Sequence, residues 1–350
     1  MTVCSLAPRE PDAPMTDVST DVPAISPPRR GLRHLMREPI ANICLLFIVL
    51  QVVCITASLI FPDEFRYVSS TNVGLLMRAI PILGIISLGV GILMITGEYD
   101  LSVGSVYTLA GYVTAIIFTA GYPVWFALGA AVVIGIAIGV VNGLITVRAA
   151  IPSFITTMGA MLVVRGIVRW LSELGSVSFR PPPEVSAIFT GAVLGVEAPF
   201  IWFMVMAVLA YTLLHRSKLG NHMFLVGGNE RTAIAVGIES RKIKIIAFAL
   251  SGFAASLAGI ISIARVGTAT PAQGTGLELR AIAVCVIGGL FLSGGRGTVL
   301  GIVIGACLLY MVEDVLLLLR APGFYLDVFV GAILVVAVVV NTWMTRRSSK

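Results

Sequence analysis

The sequence predicts an all-α, polytopic membrane protein of about ten transmembrane helices, and three observations carry that prediction. Charged residues make up only 12% of the 350 residues and hydrophobic ones 57%, with a mean hydropathy of +0.99. No water-exposed globular surface of this size tolerates that balance. A bilayer core asks for about 20 mostly apolar residues per helix, and runs of that kind follow one another along most of the chain, separated by Gly, Pro or charge. The Lys and Arg residues collect in alternate connections, the bias that orients a chain in a membrane.

Taken in order, the predicted spans are Ile40 to Ile60, Val73 to Thr96, Leu101 to Ala120, Val124 to Val147, Ser153 to Leu171, Phe200 to Leu214, Ile245 to Arg265, Leu277 to Leu292, Thr298 to Leu319 and Phe324 to Val340. Val124 to Val147 contains no charge at all, so nothing opposes its insertion. Leu277 to Leu292 is short, and Ser153 to Leu171 carries Arg165 and Arg169 toward one end; such segments fit a membrane when tilted, broken or covered by protein. With the N-terminus cytoplasmic, Arg29, Arg30, Arg33, Arg37, Arg148, Arg216, Lys218, Arg231, Arg241, Lys242, Lys244, Arg296, Arg346 and Arg347 all fall inside, and so do both termini. The net charge of +6 then reflects topology and attraction to anionic membrane lipid, not nucleic-acid binding.

Outside the spans the chain is spare. Residues 1–38 read as a disordered cytoplasmic tail rich in Pro, Ser, Thr and Asp, 39–343 as the membrane domain with a cytoplasmic loop at 215–244, and 344–350 as a second short tail. The first apolar run is long enough to remain as an anchor, so no cleaved signal is read. Cys44, Cys54, Cys285 and Cys307 lie in apolar runs and Cys4 in the tail, with no pair at metal-ligand spacing, and each reads as a small buried hydrophobe. His34, His215 and His222 lie outside the apolar runs, so neither a metal site nor any cofactor is expected. No G-x-x-x-x-G-K-[ST] run occurs, and the chain therefore lacks the P-loop route to ATP. No catalytic constellation of nucleophile and base is apparent either.

Small residues recur at helical spacing. Gly135, Gly139 and Gly143 share one face of the fourth span, and Gly297, Gly301 and Gly305 repeat the pattern at the ninth. Such spacing lets backbones approach where lipid supplies no hydrophobic drive to association; these glycines are assigned to packing and to no ligand.

Two interruptions are more informative. Gly97-Glu98-Tyr99-Asp100-Leu101-Ser102-Val103-Gly104-Ser105 puts two carboxylates inside an otherwise apolar stretch, and Thr268 to Arg280 holds Pro271, Gly274, Gly276, Glu278 and Arg280. Inverted repeats, spans two to five against seven to ten, would place Gly97 to Gly104 and Gly276 to Ala283 at corresponding positions. Interrupted helices at matching positions point to a transport pathway, with Asp100, Ser102 and Glu278 as its candidate polar groups. The competing reading makes Asp100 or Ser102 a cap on free N–H groups at the start of the third span. The long cytoplasmic loop adds Asn229, a good N-cap, then Glu230 to Val236, closed by Gly237. A two-turn helix is unstable alone and needs a partner surface, either the bilayer or a cytoplasmic subunit.

The Gly97 to Ser105 run resembles the G-x-[IF]-D-L-S-V-G-S segment of ribose-type (carbohydrate uptake) permeases of bacterial ATP-binding-cassette importers. Gly227-Gly228-Asn229-Glu230 with Gly237-Ile238 is similar to their G-G-N-E…G-I coupling segment, and Gly276 to Leu292 with Ser293-Gly294-Gly295-Arg296-Gly297 is similar to their G-x-E-L-x-A-I-A…V-I-G-G…L-x-G-G-x-G stretch. The resemblance spans about residues 40 to 340. It implies a pore-forming permease in the bacterial inner membrane, paired with a second copy or a homologous permease, fed by a periplasmic substrate-binding protein and driven by a cytoplasmic ATPase. That ATPase would dock on Gly228, Asn229, Glu230, Ala233 and Gly237. Family members often show Tyr and Asp where Leu277 and Arg280 stand, and Gly or Ser in place of Glu98, which leaves pentoses, deoxy sugars and polyols open as solutes. The alternative from the residues alone is a proton- or sodium-coupled carrier using Glu98 and Asp100.

Overall fold

A computed structural model describes residues 39–173 and 175–322, and beyond them 324–325, 328–332, 335–336 and 339. The terminal segments 1–38 and 340–350 lie outside the described residues, so the predicted tails are not addressed by it. Among the described residues up to Pro322, twelve helices run in the order α1 (Pro39–Ile60), α2 (Ser70–Ile95), α3 (Val103–Thr119), α4 (Val124–Ala149), α5 (Ser153–Ser172), α6 (Pro183–Thr190), α7 (Ala198–Arg216), α8 (Lys218–Gly228), α9 (Glu230–Ala235), α10 (Ser240–Val266), α11 (Leu277–Ile287) and α12 (Val299–Leu318). Four two-residue strands make two small antiparallel ladders. β1 (Val177–Ser178) pairs with β4 (Thr268–Ala269), and β2 (Ala192–Val193) with β3 (Val196–Glu197).

Seven of the described helices are long and apolar enough to cross a membrane: α1, α2, α4, α5, α7, α10 and α12. The protein is a polytopic helical membrane protein, with a helix count that differs from ten for identifiable reasons. The predicted third span is α3, a 17-residue helix whose start is set inside the bundle. The predicted eighth is only the 11-residue α11, because the chain turns at Gly288 and at Gly289, whose φ is 80°, instead of continuing to Leu292. The tenth, Phe324 to Val340, lies partly outside the described residues; its described positions are helical.

Burial orders the bundle. The most apolar 18-residue window of α2 is 89% buried and that of α10 is 72%, against 11% for α1. α2 and α10 therefore form the centre, and α1 lies at the periphery with its apolar side chains outward, as a lipid-facing helix does. Each central helix leans on the other half of the chain: α10 packs on α3 and α4, and α2 packs on α11 and α12. Each is also followed by a left-handed glycine, Gly97 at φ 85° and Gly267 at φ 75°, then by an irregular segment and a shorter helix. The interruptions foreseen in the sequence thus recur in both halves. α1 is held to the rest by a separate cluster of Cys54, Phe65, Tyr67, Leu308 and Met311.

The glycine faces are packing seams. A side chain at Gly135 would collide with Gly252 and Ser256, and one at Gly139 with the Phe248 backbone, so α4 and α10 meet backbone to backbone. Gly301 and Gly305 meet Gly288 and Val284 in the same way, joining α12 to α11.

Candidate functional site

Three polar clusters stand out against the apolar bundle. The innermost is built on the break between α2 and α3. Gly97 ends α2, and the chain then threads between four elements. The Tyr99 N–H donates to Ser153 Oγ of α5 at 3.0 Å, Thr157 Oγ1 donates to the Tyr99 carbonyl at 3.3 Å, and the Tyr99 hydroxyl donates to the Leu292 carbonyl. Asp100 is 1% exposed and Ser102 fully buried. Asp100 Oδ1 accepts from the Ser102 N–H at 2.8 Å and the Ser102 hydroxyl at 2.6 Å, and Oδ2 accepts from Ser251 Oγ of α10 at 2.9 Å. Asn142 Nδ2 of α4 donates to Ser102 Oγ at 2.9 Å. A carboxylate placed away from water is tolerated only with such donors, and this one knots the start of α3 to α4 and α10.

The second cluster surrounds α11. Glu278 lies 3.7 Å from Arg165 of α5, and Arg280, two residues on and therefore on another side of the helix, lies 3.0 Å from Glu313 of α12. Between them Leu279 is half exposed. Glu278 also touches the first cluster, because Gly104 packs on the Gly274 carbonyl and on the Glu278 carboxylate with no room for a Cβ. The two interrupted segments of the chain therefore meet inside the bundle. The distance from Asp100 to this contact is spanned by the first turn of α3.

The third cluster lies at the α9 end. Ser217 caps α8 by accepting from the Gly220 N–H, and Asn229 caps α9 by accepting from the Thr232 N–H at 3.1 Å. Gly237, at φ 84° with nothing near its α-carbon substituent position, closes α9 as the spacing predicted. Of the residues proposed for docking, Gly228, Asn229, Glu230 and Gly237 are exposed, whereas Ala233 is 1% exposed and seats the helix on the bundle. Ile234 and Val236, which drew no attention in the sequence, are exposed large hydrophobics. Lys244, one turn into α10, sits between two acids: 2.8 Å from Glu98 Oε1 and 2.9 Å from Glu230 Oε2. These residues border a cleft of about 910 Å³ that continues along Thr146 to Pro152, at the α4–α5 connection. Among the described residues no group of His, Cys, Asp and Glu could hold a metal ion.

Residues 72–338 match the family described as "Branched-chain amino acid transport system / permease component". The chain belongs to this permease family. Among relatives of the permease, the ribose import permease protein RbsC of Escherichia coli K12 is 35% identical over 298 residues, covering 84% of this chain and 92% of the relative. RbsC of Haemophilus influenzae is 32% identical over 302 residues, covering 85% and 92%. The autoinducer 2 import system permease protein LsrC of Salmonella paratyphi B is 31% identical over 294 residues, covering 82% of each chain. No solved structure matches. The permease is thus similar over more than four fifths of its length to carbohydrate-type import permeases, the class its sequence motifs resemble.

Proposed function

We propose that the chain is the pore-forming permease subunit of an ATP-binding-cassette importer that carries a sugar, polyol or related small polar solute across the bacterial inner membrane. A periplasmic binding protein would deliver the solute, and a separate cytoplasmic ATPase would drive the cycle from Gly228, Asn229, Glu230, Ala233 and Gly237. The observation that carries this reading is α9: a capped six-residue helix, exposed on nearly every side, in a chain similar over 84% of its length to an import permease. Such a helix is too short to persist without tertiary support, and its exposed Ile234 and Val236 suit a protein partner. Ala233 contributes as the inward anchor of that surface.

The α9 end is taken as cytoplasmic, since Arg148, Arg216, Lys218, Arg231, Arg241 and Lys242 cluster there; both termini then lie in the cytoplasm. A pair of permeases, identical or homologous, would enclose the pathway. Asp100 and Ser102 support it from within the wall, while Glu278, with its Arg165 partner, lies beside the exposed Leu279 of α11. Solute identity follows the carbohydrate relatives and not the amino-acid wording of the family description. Arg280 is already engaged with Glu313, which favours a neutral polyhydroxy solute over one bearing a carboxylate.

The proton- or sodium-coupled alternative is disfavoured, because Glu98 is paired with Lys244 and Asp100 accepts three hydrogen bonds. The test is uptake and ATP hydrolysis in proteoliposomes holding the permease, its genomic-neighbour ATPase and a panel of binding proteins with ribose, deoxyribose, arabinose and ribitol. ATP-dependent uptake confined to one binding protein and its solute is expected. Uptake driven by an ion gradient without ATP overturns the proposal.

A further inference from the structure

Lys244 occupies a position that neither docking nor the pathway accounts for. It projects from the second turn of α10, a central helix, and its ammonium lies within 3 Å of carboxylates on two elements that are otherwise remote in sequence. Glu98 belongs to the break that carries Asp100, and Glu230 opens α9. The side chains of Lys244 and Glu98 are 14% and 12% exposed, that of Glu230 is 44% exposed, so the bridge runs from the protein interior to the cleft surface. We propose that Lys244 is a positioning residue that clamps the docking helix α9 to the interrupted segment of the translocation pathway, so that movement of α9 is transmitted to residues 97–102. This inference rests on the importer reading for its functional half, though not for its structural half.

Three features support it. α9 has few other ties to the bundle: Ala233 is its one buried residue, and the chain on its C-terminal side passes through Gly237, which has open space around it. The segment that Glu98 leads into is tightly held, through Tyr99 to α5 and the Leu292 carbonyl and through Asp100 to α10. A displacement imposed at Glu98 is therefore carried to the start of α3 and not absorbed locally. Finally, one lysine between two carboxylates gives a bridge with a charge deficit: removing the ammonium leaves two acids near one another in a partly buried site, which repel and separate.

The experiment uses the full permease in nanodiscs, alone and assembled with its ATPase. Amide hydrogen exchange over residues 230–238 is read first, then MgATP hydrolysis with and without binding protein. K244M is expected to raise exchange across α9 by roughly tenfold, and to reduce the stimulation of hydrolysis by binding protein by roughly fivefold or more, while the subunits still co-purify. K244R retains both properties. E98Q and E230Q, which each keep one arm of the bridge, loosen α9 only slightly, and E98Q/E230Q, which removes both ion pairs without leaving acids to repel, loosens it further but less than K244M. D63N, which removes a surface ion pair with Arg66, changes neither. Wild-type exchange in both K244M and E98Q/E230Q overturns the clamp. Loosened exchange with undiminished stimulation overturns its transmission role. If the wild-type permease binds no ATPase, the importer reading fails, and the exchange arm still decides the clamp.

Discussion

Gly135 and Gly129 lie on the same helix and predict opposite responses to the same substitution. A Cβ at Gly135 would sit 2.7 Å from the Gly252 carbonyl oxygen and 2.6 Å from Ser256 Cβ, whereas one at Gly129 meets nothing within 4 Å. Ordinary contact begins at 3.4 Å, so G135A requires α4 and α10 to part by about 0.7 Å, an overpacking that costs about 1–3 kcal/mol. The same displacement acts on the innermost cluster. Asn142 of α4 and Ser251 of α10 hold opposite sides of the Asp100–Ser102 pair, each at 2.9 Å, and stretching either bond to about 3.6 Å breaks it. G129A, with no collision, gains up to about 1 kcal/mol from the better helix propensity of alanine. Thermal unfolding in detergent, followed by circular dichroism, separates the two: a lowered midpoint for G135A, and an unchanged or raised one for G129A. Equal midpoints would refute the assignment of the glycine face to a backbone seam, and with it the claim that lipid-side and protein-side glycines of α4 are distinguishable.

Further expectations concern the polar clusters and are read by the same unfolding measurement unless stated. D100A strands three donors inside the bundle and lowers stability by about 1–3 kcal/mol; stability equal to wild type would show that the knot is dispensable. R165M leaves the Glu278 carboxylate buried without its partner and costs about 3 kcal/mol, whereas E278Q, which leaves the better-exposed Arg165 side chain, costs under about 1 kcal/mol; the reverse order would sink the pairing. G237V forces a branched residue into a left-handed conformation at a cost of about 1–2 kcal/mol. Because the strain falls on the turn after α9, uptake per ATP hydrolysed drops in proteoliposomes while membrane insertion is retained, and unchanged uptake per ATP counts against docking at α9.

Much of this architecture is legible in the sequence, and the failures are instructive. Runs such as Val124 to Val147 declare themselves because every residue must face lipid or another helix, a condition that leaves no charged residue to confuse the reading. The Asn229 cap and the Gly237 turn are likewise local, decided within a few residues. The predicted span Leu277 to Leu292 runs past the end of α11 because hydropathy does not register that Gly288 and Gly289 leave the helix, although paired glycines are a visible signal. The β2–β3 hairpin passed unnoticed since its turn is Leu194-Gly195, with φ of 52° and 81°, and leucine is a poor advertisement for a left-handed position. The clamp at Lys244 was legible only in part. A lysine one turn inside an apolar helix is a feature that the topological bias explains too easily, and its partners lie at positions 98 and 230, separations that no local pattern can connect. Asp100 shows the same limit: its identity allows both a pathway and a capping reading, and the bond from Ser251, 151 residues away, is one that no local pattern announces.

At the α9 end three stretches of chain converge on glycines. The Gly295 N–H donates to the Ile95 carbonyl at 2.9 Å, a Cβ at Gly294 would sit 2.7 Å from the Gly97 nitrogen, and one at Gly295 would sit 2.5 Å from the Gly228 α-carbon. The helix that precedes α9 is thus walled by residues made early and residues made late. A ribosome that has finished α9 has not yet synthesised Gly294 and Gly295, so the seat of α8 stays open until α10 and α11 have been made. On the importer reading proposed above, the docking surface that follows α8 would therefore take its final position only after Gly294 and Gly295 have been made.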